Sequence, residues 1–244
     1  MLRFLAPRFL VFIFSYPLSL LVFAEESESQ DVLCLTTHYP PYTIYREKQR
    51  DFVGADMQYL KQLAQKLNWN LTVLNFPWGR VKLEIEKDQF NCFFSLAFEE
   101  QRAQFLDYTS HPLHITQYGV FFQKNNKQLQ QQDLAHKIVA LLRGVPLAPD
   151  ALKHNGLGLA DIVYLDSNET LISIISTGRV DASVLNYQVG HYLLESSPYK
   201  ADIDSFIMSE YQLPVYLAFR KGTQDIKLID AALKQIAQEM QQNK

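Results

Sequence analysis

From Val32 onward, short apolar runs of strand type alternate with segments whose apolar residues recur every three or four positions. The runs Val32–Thr37, Asn70–Phe76 and Phe90–Ala97 read as strands, and the segments 55–67 and 79–87 between them read as helices. Within 55–67, Met57, Leu60, Ala64 and Leu67 form one stripe that needs a sheet to cover it. A second series starts at Lys137–Arg143 and continues with Ile162–Asp166, a helix from Asn168 to Thr177 stopped by Gly178, and Val180–Asn186. This alternation predicts an α/β protein of two lobes, each a mostly parallel sheet flanked by helices. The polar stretch Gln123–Gln132 has no apolar period and is expected to connect the lobes. The last strand, Leu213–Arg220, and the last helix, with Ile226, Ile229, Leu233, Ile236 and Met240 on one face, are expected to return to the first lobe. Two hinge strands, near Tyr118–Lys124 and Ser209–Leu213, would then join the halves. The expected division is a signal segment at 1–24, the first lobe at 25–122 with a return at 211–244, and the second lobe at 123–210. Two open sheets facing each other enclose a cleft at the carboxyl ends of their strands.

The segment 1–24 carries Arg3 and Arg8, an apolar run Phe9–Phe23, and Val22-Phe23-Ala24 before the polar Glu25-Glu26-Ser27. It reads as a secretory signal cut after Ala24, which places the mature protein in the periplasm. The alternative is an uncleaved anchor, for which the run is shorter than the roughly 20 residues a bilayer core requires. The 244 residues have a net charge of −3, and loss of the two leading arginines makes it −5. That balance argues against a nucleic-acid partner, whose phosphates call for a basic surface. The two cysteines, Cys34 and Cys92, fall on strands expected to be neighbours and are either one bridge or two buried thiols. His111 and His114 are interrupted by Pro112 and have no third ligand placed by sequence, so neither a metal nor a cofactor is expected. No nucleophile or phosphate-loop motif occurs, so catalysis is not indicated.

Tyr39-Pro40-Pro41-Tyr42, Gly54-Ala55-Asp56, Pro77-Trp78, Glu100-Gln101-Arg102 with Tyr108-Thr109, and Gly178-Arg179-Val180-Asp181-Ala182 follow one another in order. With these motifs the chain resembles the bacterial extracellular solute-binding proteins of family 3, the periplasmic amino-acid-binding type associated with ABC importers. The resemblance implies a type II periplasmic-binding-protein clamp that closes on its ligand. It also implies roles for individual residues. Tyr39 and Trp78 would be the aromatic faces over the ligand, Arg102 the grip on its carboxylate, Phe94, Ser95 and Ala97 the first-lobe wall, and Arg143-Gly144-Val145-Pro146 the second-lobe turn. Four places depart from the family pattern, one of them the Gly-x-x-Asp before the third strand, which reads Asp88-Gln89-Phe90-Asn91. Asn186 stands where an Asp pairs with the ligand's ammonium, Pro146 replaces a hydroxyl residue, and Glu99 replaces a Thr three before the Arg.

Arg102 suits a desolvated carboxylate because its planar fork donates two parallel hydrogen bonds. A short helix expected over 99–106 would add the weak positive field of its first N–H groups. Arg143 either faces a second anionic group or pairs with Glu99 across the cleft. The expected function is therefore a monomeric periplasmic protein that captures a small carboxylate-bearing solute, an amino acid or related organic acid, for an ABC permease or a membrane sensor. Two alternatives stand beside it: a degenerate clamp that binds a protein, suggested by Asn186 and Pro146, and a dehydratase-like enzyme with Glu99, His38 and His111 as acid–base groups.

Overall fold

The computed structural model describes residues 29–145 and 151–242, so the expected signal segment 1–24 and Pro146 lie outside the described residues. In chain order the strands are β1 (Gln30–Thr36), β2 (Ile44–Arg46), β3 (Asp51–Val53), β4 (Trp69–Asn75), β5 (Cys92–Ala97), β6 (Leu106–Tyr108), β7 (His114–Gln123), β8 (Ile138–Leu142), β9 (Asp161–Leu165), β10 (Ala182–Asn186) and β11 (Ile203–Arg220). The helices are α1 (Ala55–Lys66), α2 (Trp78–Ile85), α3 (Asn168–Ser176), α4 (Tyr187–Glu195) and α5 (Ile226–Gln242). One sheet runs β4-β1-β5-β11-β7-β10-β8-β9 with β6 beside β11, and β2–β3 is a separate hairpin. Pairing is parallel at both ends of the sheet, β4-β1-β5 and β10-β8-β9, and antiparallel where β11 and β7 join them.

The period-two pattern of the parallel strands decides which helix covers which face. On β1, Cys34 faces a core with Met57, Leu60 and Leu63 of α1 and Ile229, Leu233 and Ile236 of α5. The next residue, Leu35, faces the opposite core with Val81 and Ile85 of α2. The C-terminal helix thus returns to the first half, as its stripe requires. In the second half, Phe121 and Leu185 face Leu171, Ile172 and Ile175 of α3 and Val189 and Leu194 of α4. Val120, Val139 and Val184 turn the other way, onto Leu129, Leu134 and Leu157. Cys34 and Cys92 are partners in the parallel β1–β5 register and form a disulfide, which settles the choice left open by sequence.

Three expectations are corrected. The two separate segments near 209–213 and 213–220 form one 18-residue strand, β11, whose ladder with β7 shifts register between Ile207 and Gln212. Gln123–Gln132 is more than a connection, because Leu129 in its 3₁₀ turn is fully buried. The helix expected over 99–106 shrinks to one 3₁₀ turn, Arg102–Gln104, since Leu106 is drawn into β6 by pairing with β11. So short a turn supplies no helix dipole.

Candidate ligand-binding site

A cavity of about 900 Å³ opens at the carboxyl ends of the strands. Thr37, His38 and Tyr39 follow β1, Ser95 and Ala97 end β5, Trp78 starts α2, and Glu99 and Arg102 follow β5. The opposite wall is Leu142 at the end of β8 and Asp166, Ser167, Asn168 and Glu169, where β9 gives way to α3. Thr116 and Tyr118 of β7 and Leu213 and Val215 of β11 form its back, so both halves and the strands between them contribute. This is the crevice that open α/β sheets leave for ligands.

Arg102 is only 5% exposed on this wall. Its Nη1 donates to the Ala97 carbonyl at 3.0 Å, and its guanidinium lies 5.1 Å from the Trp78 ring centroid. The Tyr108 hydroxyl donates to the same Ala97 carbonyl at 3.3 Å. That shared acceptor explains why the Arg and the Tyr six residues on belong to one motif. Burial pushes the Tyr108 phenol up to about 12, with Arg102 opposing and Glu99 adding to the shift. Arg102 Nη2 lies 2.8 Å from Glu99 Oε1, yet neither atom is in a hydrogen bond. The two charges touch in poor alignment.

Trp78 donates from Nε1 to the Gly144 carbonyl at 3.0 Å, tying α2 to the turn after β8. Tyr39 is half-buried and stacks on Tyr42 with centroids 5.7 Å apart. Burial, with Tyr118, Tyr42 and Asp56 nearby, holds its phenol well above the ordinary range, against the effect of the Asn186 amide. It therefore stays a neutral donor and acceptor at any physiological pH. Tyr42 packs with the second-half core, where burial and then Asp56 raise its pKa to about 12.

Ser95 sits on the wall because β5 bulges there. Between the pairs Phe93–Ala218 and Leu96–Tyr216, two residues of β5 oppose the single Leu217 of β11. Ser95 takes a left-handed φ of 56°, and its Oγ donates to Asp56 Oδ2 at 2.5 Å. Such a conformation costs a non-glycine residue about 1–2 kcal/mol, offset here by a hydrogen bond to a charged group. The other Asp56 oxygen is 2.8 Å from His114 Nδ1, and the His114 ring stacks on Tyr42 with centroids 3.4 Å apart. The sequence did not announce this group, in which a buried Asp56 joins the half-buried His114 and Ser95. Asp56 was visible only as the end of Gly54-Ala55-Asp56, and His114 stood only as half of a weak metal pair. Among the described residues no group of His, Cys, Asp and Glu is arranged to hold a metal.

Arg143, Gly144 and Asn186 lie off the main wall, whereas Val145 lines it. Arg143 is exposed, with Nε donating to Asp166 Oδ1 at 2.8 Å and Nη2 to the Tyr164 carbonyl at 3.1 Å. The pairing of Arg143 with Glu99 is not formed. Gly144 meets Trp78 through its carbonyl. Asn186 is buried and caps α4, its Oδ1 accepting from the Val189 amide at 2.9 Å. It lines a neighbouring cavity of about 30 Å³ that shares Tyr39, Tyr118, Leu142 and Val145 with the large one.

The family model for bacterial extracellular solute-binding proteins, family 3, matches residues 32–244. No curated protein matches. Among solved structures, the chain is similar to the amino acid ABC transporter substrate-binding protein AbpA of Streptococcus pneumoniae bound to L-arginine, at 19% identity and a TM-score of 0.71, covering 87% of this chain and 91% of that one. It is similar to a histidine kinase sensor domain with similarity to periplasmic binding proteins, at 17% identity and a TM-score of 0.71, covering 88% and 92%. It is also similar to the ancestral amino acid-binding protein AncCDT-1, a precursor of cyclohexadienyl dehydratase, at 19% identity and a TM-score of 0.66, covering 86% and 89%. At such identities these likenesses establish the periplasmic-binding-protein fold. With the family model spanning residues 32–244, most of the chain, this protein belongs to the bacterial extracellular solute-binding proteins, family 3.

Proposed function

We propose that the protein captures a small amino-acid-type solute in the 900 Å³ cavity, with the solute's carboxylate on Arg102 and its body between Tyr39 and Trp78. The observation that carries this reading is the state of Arg102. Its guanidinium is buried on a cavity wall with one nitrogen in a charge contact and in no hydrogen bond. A desolvated guanidinium gains most from a coplanar carboxylate, and a solute can present one where the Glu99 approach is misaligned. Ser95 adds a polar edge, and the Asn186 amide sits beside Tyr39 at the adjoining small cavity. Arg143 and Gly144 serve the wall indirectly, through Asp166 and Trp78.

In this reading the lobes are 25–122 with 211–244, and 123–210, and they hinge where the β7–β11 ladder breaks between Ile207 and Gln212. The leader 1–24 exports the chain to the periplasm, and no helix among the described residues is long and apolar enough to cross a membrane. The monomer then presents its solute to an ABC permease or a membrane sensor, and no chemical step is needed.

Melting curves of the purified protein against the common amino acids and small dicarboxylates test the reading. At least one amino acid raises the midpoint, because a ligand that binds only the folded state stabilises it by about 2.7 kcal/mol at a hundred times its Kd. Arg102→Ala removes that rise while keeping a cooperative melt. A flat response across the panel, or an undiminished shift in Arg102→Ala, contradicts it.

A further inference from the structure

We propose that Glu99 is a specificity-determining residue, a resident carboxylate on Arg102 that an incoming solute must displace, so that the site selects solutes carrying a cationic group beyond their carboxylate. The inference rests on the function proposed above and names the solute class for that site. Among the described residues Arg102 is the sole Lys or Arg on the cavity wall, where Glu99, Glu100, Asp166 and Glu169 supply four carboxylates. Two cations adjoin the wall without forming it: Arg143 is held on Asp166, and Lys82 lies against Gly144. Glu99 Oε1 lies 2.8 Å from Arg102 Nη2 and both atoms are shut off from solvent, while the Glu99 side chain as a whole stays 28% exposed. An acid therefore already rests on the guanidinium that a guest's carboxylate would take.

Displacement follows from charge. A solute carboxylate that takes the guanidinium leaves Glu99 without its partner, in a cavity whose lining also includes Glu100 and, on the opposite wall, Asp166 and Glu169. A dianionic solute makes that worse, because like charges brought together out of bulk water repel strongly. A solute whose second group is an ammonium or guanidinium gives Glu99 a new partner, so one ion pair is exchanged for two. Discrimination then comes as much from what the site repels as from what it holds.

Isothermal titration of the purified protein and of Glu99→Gln with L-lysine, L-norleucine, L-glutamate and cadaverine tests it. L-norleucine is L-lysine without the terminal ammonium, and cadaverine is L-lysine without the carboxylate. The native protein should bind L-lysine about tenfold or more tighter than L-norleucine, a difference of about 1.4 kcal/mol, and L-glutamate most weakly. Glu99→Gln should reduce the lysine-to-norleucine ratio about tenfold and strengthen L-glutamate, while its melting transition stays cooperative. A ratio near one in the native protein, a ratio unchanged in Glu99→Gln, or cadaverine binding as tightly as L-lysine overturns the inference. If a neutral or acidic amino acid binds best, the inference alone fails and solute capture stands. If no solute of this set or of the wider melting panel binds, the proposed function fails and the inference falls with it.

Discussion

Arg102 shows how a single side chain is held ready by its neighbours. The Ala97 carbonyl and the Trp78 face fix its orientation, and the Tyr108 hydroxyl shares the same acceptor. The family resemblance pointed to Arg102 and Trp78, whereas Tyr108 stood in the sequence only as a member of the motif that follows Arg102. The Asp56–His114 contact was not legible, since its partners are 58 residues apart and neither bears a local signal of the other. Residue chemistry also sets the alkaline limit of stability. Folded Tyr42 and Tyr108 titrate near 12, whereas an unfolded tyrosine titrates near 10, so the folded state favours the phenols. Their contribution is complete below about pH 10 and drains away as pH rises towards 12. Tyr42→Phe keeps the ring on His114 and removes one titration. Its melting temperature should fall less steeply than that of the native protein between about pH 10 and 12; parallel curves would show that Tyr42 does not contribute.

At the scale of elements, strands and helices with a clean period were readable, and those defined by distant pairing were not. The stripe of α1 and the apolar face of α5 specify two helices that pack together over β1 and β11, and the structure places them there. Helix α4 escaped because Asn186 both ends β10 and caps the helix, leaving no turn signal between them. The packing of α4 is unusually close: a Cβ added at Gly190 would lie 2.2 Å from the Phe121 ring. Phe121 is fully buried on β7, so the ring cannot swing aside without opening the second-half core. Gly190→Ala should therefore lower stability by about 1–3 kcal/mol despite the better helix propensity of alanine, as measured by urea denaturation. An unchanged or raised midpoint would mean that the helix shifts freely over the sheet.

The whole molecule is a continuous sheet whose two parallel ends are joined by β11 and β7, with a cavity where the ends face each other. Strand–helix alternation foretold the two halves and their crevice, but not the electrostatics inside it. The sequence presented Glu99 as a departure and left Arg143 either as a second cation for the ligand or as the partner of Glu99. In the folded chain Glu99 rests on Arg102, and Arg143 turns outward to Asp166, because side-chain pairing depends on distances that spacing along the chain does not encode. The central claim is that a solute carboxylate replaces Glu99 on Arg102 inside this cavity. A crystal structure of the protein soaked with whichever amino acid raises its melting point tests that claim most directly. The account predicts the solute between Tyr39 and Trp78, its carboxylate hydrogen-bonded to Arg102 and Glu99 turned away from Nη2. A solute bound elsewhere, or one in the cavity with Glu99 still seated on Arg102, would contradict it.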